Sequence, residues 1–574
     1  MPAPEFSAPA SHLQGSQANV LLTSVFGPYA LDDAYGSRLI NPMELYHNQV
    51  TRVQGPFSLR MFHRSWGLML IQANITAPCA LLDFPSLARF TEEIRENHYD
   101  VIGISSIAPN LLKVRKMCKL IRRYQPHARI VVGGHIANVP DLERYVSADH
   151  VVRGDGVQWF RAFLQEDVEQ PIRHPVVSSG FDMRSAGIVY DYKPADYAAT
   201  VIPAVGCPLG CNFCSTSAMF GGKGRFETFY ADGDQLFDVM AQLERAMEVE
   251  TFFVMDENFL LQRPRTLRLL ERMQQHDKAW SLYVFSSANV LRSYTMEQLV
   301  DLGVSWIWMG LEGENSQYAK LRSIDTVALI RELQSHGIGV LGSTIIGLEN
   351  HTPQNIDQVI DHAVRHNVDF HQFMLYTAIP GTPLNEELSR QGQITIDHLA
   401  DVHGQLVFNY RHPHIPPGQE TQYLLSAFQR DFDVNGPSIL RIVRTTLAGW
   451  KRHQHHPDAR VRRRYLRECK GMTGTLPALA KAAQLYYQRN PHVQQQLSDL
   501  LDELYQEFGT AARRAAAEDG PRLLQGIYDL EQRLAEGWTH EPPTFYERNA
   551  ALDRPAATRC SFVSPTPEPK TVTS

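Results

Sequence analysis

"VGCPLGCNFCSTS", residues 205 to 217, places three cysteines within eight positions of a chain that has seven cysteines among 574 residues. The N-terminus "MPAPEFSAPASHLQGSQ" lacks a basic region followed by an apolar core, and no run of about 18 apolar residues occurs, so neither a signal peptide nor a membrane span is expected. A cytoplasmic location is the expectation, and with it reduced thiols. Cys79, Cys118, Cys469 and Cys560 are scattered, as packing or surface thiols are. Cys207, Cys211 and Cys214 are not. A disulfide would leave one of the three unused, and a structural zinc site needs a fourth ligand that the neighbourhood does not supply. A [4Fe–4S] cluster held by three thiolates keeps one iron open for a substrate or cofactor, which is the reading that uses all three.

Outward from this stretch, "ATVIPAVG" (199 to 206) reads as a strand leading into the cysteine loop. Short apolar runs then alternate with amphipathic stretches, the rhythm of βα units. "TFFVMDENFL" (251 to 260) ends in Asp256, Glu257 and Asn258; "SLYVFSSANVL" (281 to 291) follows; "VSWIWMGLEGEN" (304 to 315) presents Glu312; "GVLGSTIIGLENHTPQNI" (339 to 356) carries Gly347; "FMLYTAIPGTPLNEEL" (373 to 388) closes the series. Read singly, Asp256 and Glu257 suit helix caps, and Glu312 suits a surface carboxylate. At the C-terminal ends of parallel strands they stand where ligands gather.

The C-x3-C-x2-C spacing, with Phe213 just before the last cysteine, resembles the cluster loop of the radical S-adenosylmethionine (SAM) enzymes. The resemblance spans residues 199 to about 390 and implies a partial (β/α)6 barrel. It implies further that the open iron binds SAM, and that an electron from the cluster cleaves it to a 5′-deoxyadenosyl radical. Cys207, Cys211 and Cys214 would hold the metal, and Phe213, the Asp256-Glu257-Asn258 trio, Glu312 and Gly347 would line the cofactor. "AMFGGKGRF" (218 to 226) stays unassigned between an anion cradle and a loop.

Ahead of the barrel, "NVLLTSVFG" (19 to 27), "LMLIQANI" (68 to 75), "DVIGISSIAPN" (100 to 110) and "ARIVVGGHIANVP" (128 to 140) read as strands of a doubly wound sheet, with ligands beyond their C-terminal ends. "VVGGHIANVPDLERYVSADHVVRGDGVQWFRAFL" (131 to 164) resembles the end of the cobalamin-binding domain that precedes many radical SAM barrels; a generic nucleotide-binding domain is the alternative. Cobalamin would be lined by Ser105, Ser106, Gly133, Gly134, His135, Arg153, Gly154 and Asp155, with Gly133 and Gly134 admitting a ligand close to the backbone and Gly154 to Gly156 forming a turn. Many cobalamin proteins carry Asp-x-His-x-x-Gly after the first strand, and here "VFGPYALDDAYGSRL" has no histidine. His135 is therefore expected to bind without ligating cobalt. The insertion 41 to 67 is rich in aromatic residues and is expected to border corrin or substrate.

Past residue 400, apolar residues recur at helical spacing. The expected organisation is a tail (1–18), a cobalamin-binding domain (19–165), a linker (166–198), the barrel (199–400), a helical domain (401–550) and a disordered tail (551–574). The overall charge of −7 offers no general attraction for nucleic acid, and none is expected as a partner. Residues 441 to 470 carry ten Lys or Arg against two acids; a solvated helix face is the first reading of them, and a peripheral contact with an anionic membrane or another anionic partner is the alternative.

The two domains together imply methylation of an unactivated carbon in a small-molecule or lipid-like substrate, with flavodoxin or ferredoxin as electron donor. Ring formation or oxidation without methyl transfer, and a cobalamin- or cluster-based sensor, remain alternatives. The oligomeric state is left open.

Overall fold

The computed structural model describes residues 17–28, 34–35, 53–57, 64–179, 184–185, 188–189, 198–312, 324–396, 398–537 and 542–549. The two tails, most of the 41–67 insertion and much of the 166–198 linker lie outside these residues.

Two parallel sheets carry the molecule. The N-terminal sheet holds β1 (Val20–Ser24), β2 (Cys79–Asp83), β3 (Val101–Ser105), β4 (Arg129–Gly133) and β5 (His150–Val151), in the order β2-β1-β3-β4-β5. The chain leaves β1 to opposite sides for β2 and β3, so the switch point lies at the C-terminal ends of β1 and β3, where ligands of such sheets bind. Apolar strands buried on both faces form it, as a sheet flanked by helices requires.

One expected strand is a helix. "LMLIQANI" lies in helix Trp66–Asn74 and its C-cap Ile75, and the second strand is Cys79–Asp83, with four residues between helix and strand. The run is apolar almost throughout, so it has no periodicity to separate strand from buried helix. Leu, Met, Gln and Ala favour the helix, and Pro78 restarts the chain in extended form. The helix crosses helix Gly156–Phe163 so closely that a Cβ on Gly156 would stand 2.8 Å from Ile71.

The second sheet runs β6 (Ser178–Ser179), β7 (Ala198–Val201), β8 (Thr251–Val254), β9 (Ser281–Ser286), β10 (Val304–Gly310), β11 (Gly339–Ile346) and β12 (Phe370–Leu375) in sequence order. The last six are parallel and β6 is antiparallel at the first edge. Their helix-facing side chains, among them Leu282, Val284, Ile307 and Val340, pack into one core with the surrounding helices. That arrangement is the partial barrel.

Helix Pro383–Arg390 follows, and then Gln419–Asn435, Ser438–His453, Ala459–Glu468, Thr475–Tyr486 and Pro491–Ala535, the last kinked at non-helical Gly509. The chain then returns to the first sheet, where β13 (Phe545–Arg548) pairs antiparallel with β2. The helical reading of 401–550 missed this strand. The basic stretch 441–470 divides: Arg441, Arg460 and Arg464 are buried, while Lys451, Arg452, Arg462, Arg463 and Lys470 are exposed. Arg441 pairs with buried Asp431, Arg460 with Asp458, Arg463 with Asp277 and Arg467 with Glu250, and Arg464 donates to the carbonyl of Val300. Helix Ala459–Glu468 thereby closes the N-terminal end of the barrel, with Glu468 accepting from Ser281 and Ser305. Among the described residues no helix is long and apolar enough to cross a membrane.

Candidate functional site

The cysteine loop begins where β7 ends. Gly206 turns the chain at φ +86°, a conformation that suits glycine, and a Cβ there would stand 2.9 Å from Phe220 Cβ and 3.0 Å from its ring. The segment left unassigned in the sequence therefore folds back over the loop: Lys223 lies against Gly210, and Gly224 N–H donates to Pro208 C=O. Cys207, Cys211 and Cys214 are half-buried thiols, joined by no disulfide. Cys214 caps helix Ser215–Met219, its Sγ accepting from Ser217 N–H at 3.5 Å, while Ser217 Oγ donates to Cys207 C=O at 2.9 Å. Phe213 meets Tyr376 edge-on at 6.0 Å, Asn212 Nδ2 donates to the Tyr376 hydroxyl, and Leu384 N–H donates to Asn212 C=O. The loop is thus fixed from the closing strand and the Pro-Gly-Thr-Pro turn.

Burial pushes the Cys207 thiol up to about 11, and the neighbouring Cys214, Cys211 and Glu257 push in the same direction. The three sulfurs therefore sit within electrostatic reach of one another. Among the described residues, however, no three His, Cys, Asp or Glu side chains converge tightly enough for a single metal ion. Three neighbouring thiols fit a polynuclear centre, whose iron charge would stabilise three adjacent thiolates.

The strand-end trio divides. Asp256 is buried in an ion pair with Arg265 and accepts from Asn258 N–H at 3.1 Å. Asn258 donates to Ser287 Oγ at 3.2 Å. Both are committed to holding the end of β8. Glu257 differs: its Oε2 is buried without a hydrogen-bond partner, and it lies beside Cys207 and the Gly206 N–H. Burial, with Asp256 adding to it, pushes its carboxyl up to about 8. A cationic group seated at the cluster would satisfy it, as the amino group of SAM would. Glu312, 3% exposed and at φ +40°, stands just past β10 in a conformation uncommon for a side chain this long. Gly347 is explained by the chain itself, since a Cβ would meet the Phe408 ring at 2.2 Å.

In the N-terminal domain Gly134, at φ +80°, presses on the end of β3, where a Cβ would lie 2.6 Å from Ser106 O and 2.8 Å from Ser105 Oγ. Its close approach is thus to the chain's own backbone. Over Gly133, at the end of β4, the space is open apart from Val152 O at 3.7 Å, and Ser105, at the end of β3, is half-buried. His135 Nε2 lies 3.1 Å from Thr216 Oγ1, and Asn138 Nδ2 donates to Ser215 C=O at 2.9 Å. Arg153 donates to Ala218 C=O at 3.4 Å. Asp155 caps its own helix by accepting from Val157 and Gln158 N–H. Sequence reading missed Asn138, whose role appears only when the two sheets meet. These contacts place the β4 and β5 loops of one sheet directly on the helix that follows the cysteine loop of the other. A separate cleft of about 380 Å³, between Leu111–Arg115 and the 394–402 segment, is lined by none of the thiols.

The B12 binding domain model matches residues 66–164, and the radical SAM superfamily model matches 201–363. The chain therefore carries a B12 binding domain followed by a radical SAM domain. Among curated proteins it is similar to bacteriochlorophyllide d C-8(2)-methyltransferase of Chlorobaculum tepidum, at 22% identity over 61% of this chain and 84% of the relative. It is also similar to the anaerobic magnesium-protoporphyrin IX monomethyl ester cyclase of Cereibacter sphaeroides, at 24% identity over 55% of this chain and 57% of the relative. Among solved structures, the radical SAM methyltransferase TsrM of Kitasatospora setae aligns over 79% of this chain and 99% of its own, at 15% identity and a TM-score of 0.49.

Proposed function

We propose that this enzyme transfers a methyl group to an unactivated carbon of a small molecule. The observation that carries the reading is the seating of the B12 domain's His135–Asn138 and Arg153–Gly154 loops on helix Ser215–Met219, which brings both cofactor surfaces to one end of the barrel. When bound, the cluster with SAM supplies a radical that removes a hydrogen atom, and cobalamin supplies the methyl group.

The chain's own part is positional. Cys207, Cys211 and Cys214 hold the cluster and leave one iron to SAM. Glu257 takes the cationic amino group beside Cys207, and buried Glu312 faces the same end from β10. Asp256 and Asn258 keep Glu257 in place through Arg265 and Ser287. Ser105, Gly133 and the surface beside them would seat the corrin, while His135 is engaged with Thr216. Held geometry is the main contribution a protein makes to such chemistry, and a displacement of about 1 Å can cost roughly a hundredfold in rate.

Ring formation without methyl transfer is the second reading, favoured by the likeness to the cyclase. A reduced flavodoxin or ferredoxin would serve as electron donor in either case. The test is anaerobic turnover of the reconstituted enzyme with methyl-deuterated SAM and extract from cells lacking the protein. Methyl transfer yields 5′-deoxyadenosine, S-adenosylhomocysteine and a product carrying one labelled methyl. Deoxyadenosine with an unlabelled product establishes the second reading in its place.

A further inference from the structure

We propose that the lumen face of β9 to β12 is the floor on which a flat, conjugated, multi-ring substrate lies, a specification that rests on the radical enzyme reading above. Strand register sets out the floor. Phe285 pairs with Trp308, Trp308 with Leu341 and Leu341 with Phe370, so these four side chains form one rung across four adjacent parallel strands. Their neighbours Val284, Ile307 and Val340 form the next rung and point to the helix side, where they are fully buried in the core. Phe285, Trp308 and Phe370 are only half-buried, as the opposite, lumen face requires.

The rings are ordered. Phe285 and Trp308 stack at 5.1 Å between centroids with planes 24° apart. Trp306, two residues earlier on β10, lies over Gly339, where a Cβ would stand 2.7 Å from the indole, and so reaches Phe370 in a second stack at 5.5 Å and 29°. Trp308 Nε1–H donates to Ser343 Oγ at 2.8 Å, and Ser343 donates to Gln372 Oε1 at 2.5 Å. This chain fixes the indole plane and leaves a carbon surface below a polar rung.

Size and chemistry select the occupant. Three strand spacings of about 4.8 Å make the floor roughly 14 Å wide, more than a single ring or an amino acid side chain would cover. Aromatic rings attract another π system in stacked or edge-on geometry beyond simple area burial, an attraction that a saturated polycycle of equal size does not receive. The floor lies below the strand ends that carry Glu257 and Glu312, and helix Ala459–Glu468 closes it from beneath. A flat molecule resting there presents its edge carbons toward the cysteine loop.

The experiment is equilibrium dialysis of the holoenzyme, with cluster and cobalamin loaded, against protoporphyrin IX as a planar conjugated probe and cholate as a puckered saturated one of four rings. Protoporphyrin IX is expected to bind at least tenfold more tightly than cholate, and Trp308→Leu and Phe285→Leu are each expected to weaken it by tenfold or more. Phe285→Leu carries the test if Trp308→Leu does not fold. Equal binding of the two probes, or porphyrin binding unchanged in a folded variant, overturns the floor. The same preparation is assayed for 5′-deoxyadenosine: cleavage of SAM without a planar preference defeats this inference alone, whereas absence of cleavage defeats the radical reading instead.

Discussion

Glu257 and Asp256 are neighbours in sequence with opposite employment, and the difference predicts opposite phenotypes. Glu257→Gln keeps the shape and removes the ability to ionise against a bound cation from a side chain whose Oε2 has no partner within the chain. A charge-assisted hydrogen bond is worth roughly 1.5–3 kcal/mol, so SAM affinity should fall by about ten- to a hundredfold, measured by equilibrium dialysis, with the melting temperature little changed. Asp256→Asn instead leaves Arg265 buried without its counter-charge, and breaking such a pair costs roughly 3–5 kcal/mol. It should lower the melting temperature before it alters affinity. A Glu257→Gln protein that binds SAM as wild type does would remove Glu257 from the cofactor site. The cysteine motif and the strand-end carboxylates were legible in sequence because spacing and strand position are local. The division of labour among Asp256, Glu257 and Asn258 was not, since it depends on Arg265 and Ser287 arriving from elsewhere. Gly134 and Gly347 carried the same ambiguity: a glycine announces a close approach without saying to what.

Elements joined across long sequence distances were the least legible. The four residues of β13 give too short a signal to read as a strand, yet they cover the edge of β2. Gln72 donates to Glu547 C=O, Thr544 donates to Phe84 C=O, and Asn549 bonds both Cys79 N–H and Ala77 C=O. Deleting residues 542–574 should expose that edge, so amide exchange at Cys79–Asp83 should quicken while the barrel strands keep their protection. Equal loss of protection in both sheets would show that β13 does not act locally. A second joint links β12 to the helices behind it. Burial alone would raise the Asp431 carboxyl, but Arg441, His371 and Asn435 reverse this and hold it at about 2, below its ordinary 3.8. A depressed carboxylate stabilises the fold above pH 3.8, and that contribution disappears as pH falls toward 2. Asp431→Asn should therefore be less stable than wild type by roughly 3–5 kcal/mol at neutral pH. In denaturant titrations the gap should narrow from pH 4 downward. A gap independent of pH would mean that packing, and not the charge, is what the carboxylate supplies.

At the scale of the whole molecule, function depends on how two separately legible domains are set against each other. Nothing in the sequence states that distance, because it is fixed by contacts among residues hundreds of positions apart. The tightest of these joins the Pro-Gly-Thr-Pro turn to the B12 domain: Gly381, at φ +77°, lies where a Cβ would stand 2.2 Å from Asn138 O. Asn138 is 2% exposed and also donates to Ser215 C=O, so one residue touches the turn, the cluster-loop helix and its own domain at once. Gly381→Ala must push these apart, since the obstacle is backbone and the glycine conformation is itself unsuited to alanine. Neither cofactor surface is altered, so iron content and corrin absorbance after reconstitution should match wild type. The displacement falls on the path between the radical and the methyl donor, where about 1 Å can cost roughly a hundredfold. Methylated product should fall far more than 5′-deoxyadenosine, leaving SAM cleavage uncoupled from methyl transfer. Product and deoxyadenosine declining in equal proportion would instead locate the damage in the cluster loop, through Asn212 and Leu384, and the domain interface would lose its part in the coupling.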